Sequence, residues 1–338
     1  MTNRVLDLSD RSARLSVQNS LLVIQFPAQI PASRKNADSA SPETKTYRCE
    51  QLGDPNEVTM PLGDVAVLIV SHPQITYSHA VLSGLALAGA VFVTCNEKHM
   101  PVSMLLSLVT HSLQTERFAA QASAPLPLKK RVWQQIVRAK IRAQASLLEK
   151  RTGGDHGLLA VAARVRSGDT GNLEAYAARI YWQKLFGETG FRRDPEGDGL
   201  NACLNYGYAV LRATVTRGLC GAGLHPSLGV HHHNRYDTFC LADDLMEPFR
   251  PIVDREAAKL ADARGKDVPL DRGSKRALLE ALLGRFTAGG ESRTLFDWVS
   301  RSACSLAAVI EGTSERLELP LLEASVPSGG EEPENPQE

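Results

Sequence analysis

The sequence predicts an α+β fold: a small β-rich N-terminal domain over residues 1–100, then a larger all-α domain over 101–324. Three observations carry this reading. Short alternating or continuously apolar runs fill the first hundred residues, as strands do. After Pro101, apolar positions recur every three or four residues instead, the spacing of helices that bury one face. The remainder, 325–338, is rich in Pro, Gly, Ser and Glu, an acidic tail expected to be disordered because it cannot build a core. With 338 residues and 43% hydrophobic content, the chain is long enough for two domains with real cores.

The first residues carry Arg4, Asp7 and Asp10 with no apolar run behind a basic start, so no secretory signal is expected. Strands are expected at Val5–Ser9, Ala13–Val17 and Leu21–Phe26, the last two separated by an Asn19-Ser20 turn. Residues 29–45, rich in Pro, Ser, Asn and Asp, read as a loop, with a further short strand at 47–51. Val65–Asn96 is 32 residues without Asp, Glu, Lys or Arg. Ser71-His72-Pro73-Gln74 interrupts it, and its longest apolar piece has 16 residues, short of the roughly 20 a spanning helix needs. It reads as buried strand (65–70), helix (77–87) and strand (90–94), not as a membrane span.

In the second domain, Val132, Trp133, Ile136, Val137, Ile141, Leu147 and Leu148 form a helical apolar stripe. Between Lys129 and Arg166 there are ten Lys or Arg against Glu149 and Asp155. Arg131, Arg138 and Arg142 fall on the opposite side of that helix, as a phosphate-binding row or a solvated face. Further helices are expected over 173–186, 200–219, 242–260, 274–286 and 295–309. In the second of these Leu200, Leu204, Tyr208, Leu211, Val215 and Leu219 make an apolar seam, ended by Gly221 and Gly223.

Net charge is zero, with 38 basic and 38 acidic residues, so any nucleic acid must be held by a local basic surface. Six scattered cysteines without a Cys-x-x-Cys pair argue against a disulfide scaffold or a zinc ribbon. No Walker, dinucleotide-binding or Gly-x-Ser-x-Gly motif is present. The densest polar constellation is His231-His232-His233 followed by Asp243, Asp244 and Glu247, whose spacing crowds three acids on one helical face. Imidazole with carboxylates suits Mn²⁺ or Zn²⁺, and carboxylates with retained waters suit Mg²⁺. The same residues also read as helix-dipole acids, a Glu247–Arg250 pair and a polar loop. Glu174 on its own reads as an acid favoured at a helix N-terminus.

Three linked stretches bring a resemblance. Residues 204–211 (Leu-Asn-Tyr-Gly-Tyr-Ala-Val-Leu), 223–229 (Gly-Leu-His-Pro-Ser-Leu-Gly) and 241–251 (Leu-Ala-Asp-Asp-Leu-Met-Glu-Pro-Phe-Arg-Pro) resemble Cas1. This is the CRISPR-associated spacer-acquisition integrase and endonuclease family, and the likeness is greatest to its type II branch. The specific match runs from about Gly171 to Asp254. The resemblance implies three metal-ligating and catalytic residues: Glu174 before Ala-Tyr-Ala-Ala-Arg-Ile-Tyr, His232, and Glu247. His232 is preferred because the type II pattern places its histidine fifteen residues before the Glu; His231 and His233 are the alternatives if the register differs. It further implies Mg²⁺ or Mn²⁺ as cofactor and joining of a protospacer's 3′-hydroxyl ends into the CRISPR repeat by phosphodiester transesterification. The implied partners are double-stranded DNA, a second copy of the chain docked through domain 1–100, the small companion Cas2, and the type II RNA-guided effector nuclease. The implied setting is the prokaryotic cytoplasm. A metal-dependent nuclease that hydrolyses branched or single-stranded DNA without integrating it is the alternative.

Overall fold

The structure, a computed structural model, describes residues 3–27, 56–97, 101–107, 110–187 and 191–324. The 29–45 loop, the 47–51 strand and the 325–338 tail expected from sequence lie outside these. The chain is mixed α+β and divides into two compact units, Met1–Thr110 and His111–Glu338.

In the first unit, β1 (Arg4–Leu8), β2 (Arg14–Gln18), β3 (Leu21–Gln25), β4 (Glu57–Pro61), β5 (Val65–Val70) and β6 (Thr76–Tyr77) precede α1 (His79–Leu87), β7 (Val91–Cys95) and β8 (Pro101–Leu105). They form two four-stranded sheets, ordered β1-β5-β7-β8 and β4-β3-β2-β6. β5 pairs in parallel with β1 and β7. It is buried at all six positions, which is why Val-Ala-Val-Leu-Ile-Val shows no polar alternation. β5, α1 and β7 form the strand–helix–strand unit read from the charge-free stretch, and no helix among the described residues is long and apolar enough to cross a membrane. Leu15, Leu22, Leu68, Val81, Leu85 and Phe92 are in the core of this unit. One expectation fails here. Pro101–Leu105, assigned to the helical domain, is an antiparallel edge strand on β7, a position where proline's missing N–H costs nothing.

The second unit contains α2 (Gln114–Ser123), α3 (Leu126–Thr152), α4 (Leu158–Arg164), α5 (Leu173–Phe186), α6 (Leu200–Gly221), α7 (Cys240–Met246), α8 (Arg250–Arg264), α9 (Arg272–Leu283) and α10 (Leu295–Ile310). α3 opens at Pro125 and closes on Gly153 at φ +80°, the left-handed position that ends helices without a Cβ penalty. Its apolar stripe packs on α4, α5 and α8, and α6 packs on α7, α8, α9 and α10. The expected 242–260 helix is instead α7 and α8 joined by a tight 3-10 turn, Glu247–Phe249. Pro248 and Pro251, which cannot donate a backbone N–H, account for the break.

The unit is not wholly helical. Gly284 ends α9 before Phe286, and β9 (Arg285–Ala288) and β10 (Glu291–Thr294) form a hairpin across Gly289-Gly290, both at positive φ. β11 (Glu323–Ala324) adds to β9. Phe286 is buried there, and its carbonyl accepts from the Trp298 indole N–H at 3.0 Å.

α6 and α8 approach each other tightly at Gly207, where a Cβ would run into the Val253 side chain. Gly207→Ala should therefore destabilise the fold by about 1–3 kcal/mol, measured by urea unfolding; a neutral result would show that the two helices can separate.

Candidate active site

Three elements of the helical unit bring charged side chains together. Before α5 the chain reverses at Asp169 and Asn172, both left-handed at φ +47° and +48°. Such conformations cost a non-glycine residue about 1 kcal/mol or more. Here the Asp169 carboxylate accepts from the Leu173 and Glu174 N–H groups at 3.0 and 2.9 Å, which caps α5. Glu174 is thereby fixed in the first turn of α5. Glu247 projects from the proline-induced turn between α7 and α8, its side chain 5% exposed. Lys140 enters from α3, its side chain 9% exposed.

Lys140 Nζ lies 2.5 Å from Glu174 Oε1 and 2.6 Å from Glu247 Oε2, so one ammonium bridges both carboxylates. The Glu247 Oε1 contact is to Arg250, 3.2 Å away. Oε2 is buried against the Lys140 ammonium. Burial pushes the Glu247 carboxyl up, but Arg250 and Lys140 outweigh it and hold it below the ordinary carboxylate value. Burial pushes the Lys140 ammonium down, and Glu247 and Glu174 more than restore it.

The histidine loop is pinned from two sides. Gln121 of α2 donates to the His225 and Leu228 carbonyls at 2.8 and 2.9 Å and accepts from the His225 N–H. The fully buried Asp244 of α7 accepts from the Val230, His231 and His232 N–H groups. Gly229 is obligatory, because a Cβ there would run into the His232 carbonyl.

The three histidines then differ. His232 Nδ1 meets Asp244 Oδ1 at 2.6 Å. With N–H on that nitrogen, Nε2 keeps its lone pair, the arrangement that orients a metal-ligating imidazole. The Asp244 hydrogen bond raises the His232 pKa. His231 stacks on Trp133 with ring centroids 4.0 Å apart, and burial lowers its pKa. His233 turns back to the His231 carbonyl.

The structure thus joins Glu174 and Glu247 through Lys140, with His232 near enough for the Glu247 charge to act on it. The three acids of the 243–247 run do not share one cation. Asp243 is held bidentately by Arg212 at 2.6 and 2.7 Å, Asp244 holds the loop, and Glu247 faces Lys140 and Arg250. Two carboxylates and an imidazole nitrogen suit Mg²⁺ or Mn²⁺ chemically, and the buried Glu247 Oε2 is held here by the Lys140 ammonium at 2.6 Å. No three His, Cys, Asp or Glu side chains among the described residues stand close enough to hold one ion.

Residues 44–268 match the family model of CRISPR associated protein Cas1. The chain belongs to the Cas1 family. It is 36% identical over 290 residues to the CRISPR-associated endonuclease Cas1 of Neisseria meningitidis, covering 85% of this chain and 94% of that one. Among solved structures it resembles a casposase bound to integration product at TM-score 0.72 and 19% identity, covering 94% of this chain and 93% of that one. A Cas6-RT-Cas1–Cas2 complex matches at TM-score 0.67 and 18% identity, covering 93% of this chain and 35% of that one. Glu174, His232 and Glu247 all fall inside the stretch that matches the Cas1 family model.

Sequence reasoning missed Lys140. It counted only toward a basic stretch, although its place among Ile136, Val137 and Ile141 puts a lysine on the buried face of α3, where an unpaired lysine is not tolerated. It also misjudged Arg138. This side chain donates to the Val165 carbonyl at 2.7 Å and so ties α3 to the end of α4, whereas Arg131 and Arg142 are exposed.

A second buried acid lies behind the site. Tyr181 donates to Asp254 Oδ2 at 2.7 Å, and Tyr208 donates to Oδ1. Burial pushes the Asp254 carboxyl from 3.8 up to about 6 despite both hydrogen bonds. A raised native pKa means that this group's stabilisation is full below about pH 4 and is lost as pH rises through 6. The change is about 3 kcal/mol at most. The stability advantage of wild type over Asp254→Asn should therefore shrink between pH 4 and pH 7 in urea unfolding; a constant difference would show that Asp254 ionises normally.

Proposed function

We propose that this protein is a divalent-metal-dependent DNA integrase and endonuclease of CRISPR adaptation, joining the 3′-hydroxyl ends of a protospacer into the CRISPR repeat. The observation that carries the proposal is the contact of one ammonium, Lys140, with both Glu174 of α5 and Glu247 of the α7–α8 turn, with the Asp244-held His232 within reach of the Glu247 charge. Glu174, His232 and Glu247 are its metal ligands. Mg²⁺ or Mn²⁺ held there would polarise the phosphoryl oxygen and neutralise the oxyanions of strand exchange.

The chain's own residues divide the remaining work. Glu174 and Glu247 bring the negative charge that recruits the cation, and Arg250 keeps Glu247 ionised. Asp244 sets the His232 tautomer so that Nε2 faces outward as a neutral ligand. Exchanging one phosphodiester for another needs no external energy source, in keeping with a sequence that has no Walker motif. Exposed Arg131 and Arg142 on α3 are the phosphate contacts we assign to double-stranded DNA.

The proposal includes a homodimer formed through the N-terminal unit, bridging by Cas2, and engagement with a type II RNA-guided effector nuclease. The Cas2-containing structural relative supports the second; the homodimer and the effector rest on the likeness of the sequence to the Cas1 family and its type II wording.

Glu247→Gln, which keeps the shape and a hydrogen-bonding group beside Lys140 and Arg250, should cut strand transfer into a repeat-bearing plasmid by about a hundredfold or more. DNA affinity should change little. Products at the wild-type level would remove Glu247 from the chemistry, and wild-type nicking without joined products would favour the hydrolytic nuclease. Arg131→Glu with Arg142→Glu should weaken duplex binding and lower the salt slope by about 1 for each phosphate no longer neutralised, read by fluorescence anisotropy across a salt series. An unchanged slope would return both arginines to a solvated face.

A further inference from the structure

We propose that Lys140 is a built-in counter-cation: its ammonium holds Glu174 and Glu247 together while no divalent ion is bound, and the ion must displace it to bind. This rests on reading those glutamates as ligands. The ammonium stands in contact with one oxygen of each carboxylate, at 2.5 and 2.6 Å. Arg250 meets the other Glu247 oxygen and cannot substitute for it.

The residue type fits a removable occupant. Lysine carries a compact charge on a flexible stem and makes no planar fork, so it can leave without dismantling a bidentate pair. Here the stem is buried on the apolar face of α3, and the Glu174 side chain, 29% exposed, gives the ammonium a route towards solvent. Glu247 Oε2 pairs with Nζ at 2.6 Å, and Arg250 stays on the other oxygen when Lys140 departs.

A competitor of this kind has two opposite consequences. It steadies the metal-free protein by cancelling repulsion between two partly buried acids, and it weakens apparent metal affinity because two ion pairs must break first. Removing it should reverse both.

The test uses Mn²⁺ binding, read from the electron paramagnetic resonance signal of free Mn²⁺, and thermal unfolding with and without Mn²⁺. Lys140→Met should lower the melting temperature of the metal-free protein, bind Mn²⁺ about tenfold more tightly than wild type, and gain more melting temperature from the ion. Lys140→Gln is the second variant if Met does not fold, with the same expectations. Lys140→Arg, a fixed fork, should bind Mn²⁺ more weakly than wild type. Affinity in Lys140→Met or Lys140→Gln equal to or below wild type would overturn displacement, since Lys140 would then remain beside the bound ion. Wild-type Mn²⁺ affinity in both Glu174→Gln and Glu247→Gln would instead overturn the ligand reading, a failure distinct from that of Lys140.

Discussion

Glu174 comes from the first turn of α5 and Glu247 from the turn between α7 and α8, and two carboxylates gathered about one point in a poorly solvated setting repel each other. Lys140 turns that cost into an attraction. Because the ammonium comes from α3, the same contact ties the first turn of α5 and the α7–α8 turn to the longest helix of the unit. The arrangement is an ion triad with one cation and two anions, so it retains one net negative charge before Arg250 is counted. Arg250 neutralises that remainder. A buried cluster closed in this way is held in one geometry by its electrostatics.

The surrounding scaffold serves that geometry through backbone hydrogen bonds. Asp169 caps α5 and fixes Glu174, Gln121 pins the loop before the histidines, and Asp244 gathers three consecutive N–H groups beneath them. Each of these supports is a polar side chain buried on a helix or a tight turn, fully engaged by neighbouring backbone. Trp133 adds an aromatic wall, stacked on His231 and edge-on to His232. Behind them Asp254 binds α5 and α6 through Tyr181 and Tyr208. The polar residues of this region therefore divide between those that meet the Lys140 ammonium and those that hold the surrounding backbone.

Much of this was legible along the chain. The 65–70 run read as a buried strand because β5 has no solvent face, and the seam of α6 read as a helix because one face of it is core. Glu174, His232 and Glu247 were singled out only through resemblance, since nothing local separates a ligand from a capping acid or a loop histidine. The break at Glu247 was written in Pro248 and Pro251, and the hairpin in Gly289-Gly290, but both signals were outweighed by helical periodicity on either side. Pro101–Leu105 was assigned by the helical texture of the residues C-terminal to it, whereas its partner strand β7 lies on its N-terminal side.

Sequence by itself determined whatever depends on neighbours in the chain: periodicity, caps, turns and the order of elements. Pairings between distant residues were decided by tertiary structure. Lys140 could be counted as one more positive charge on a basic helix until α5 and α8 packed against α3 and put two carboxylates on it. Arg138 likewise looked like a phosphate ligand until α4 ended within its reach. The physical reason is range: local propensities act over a few residues, while the energy of a buried charge is set by whatever the fold brings within a few ångströms of it.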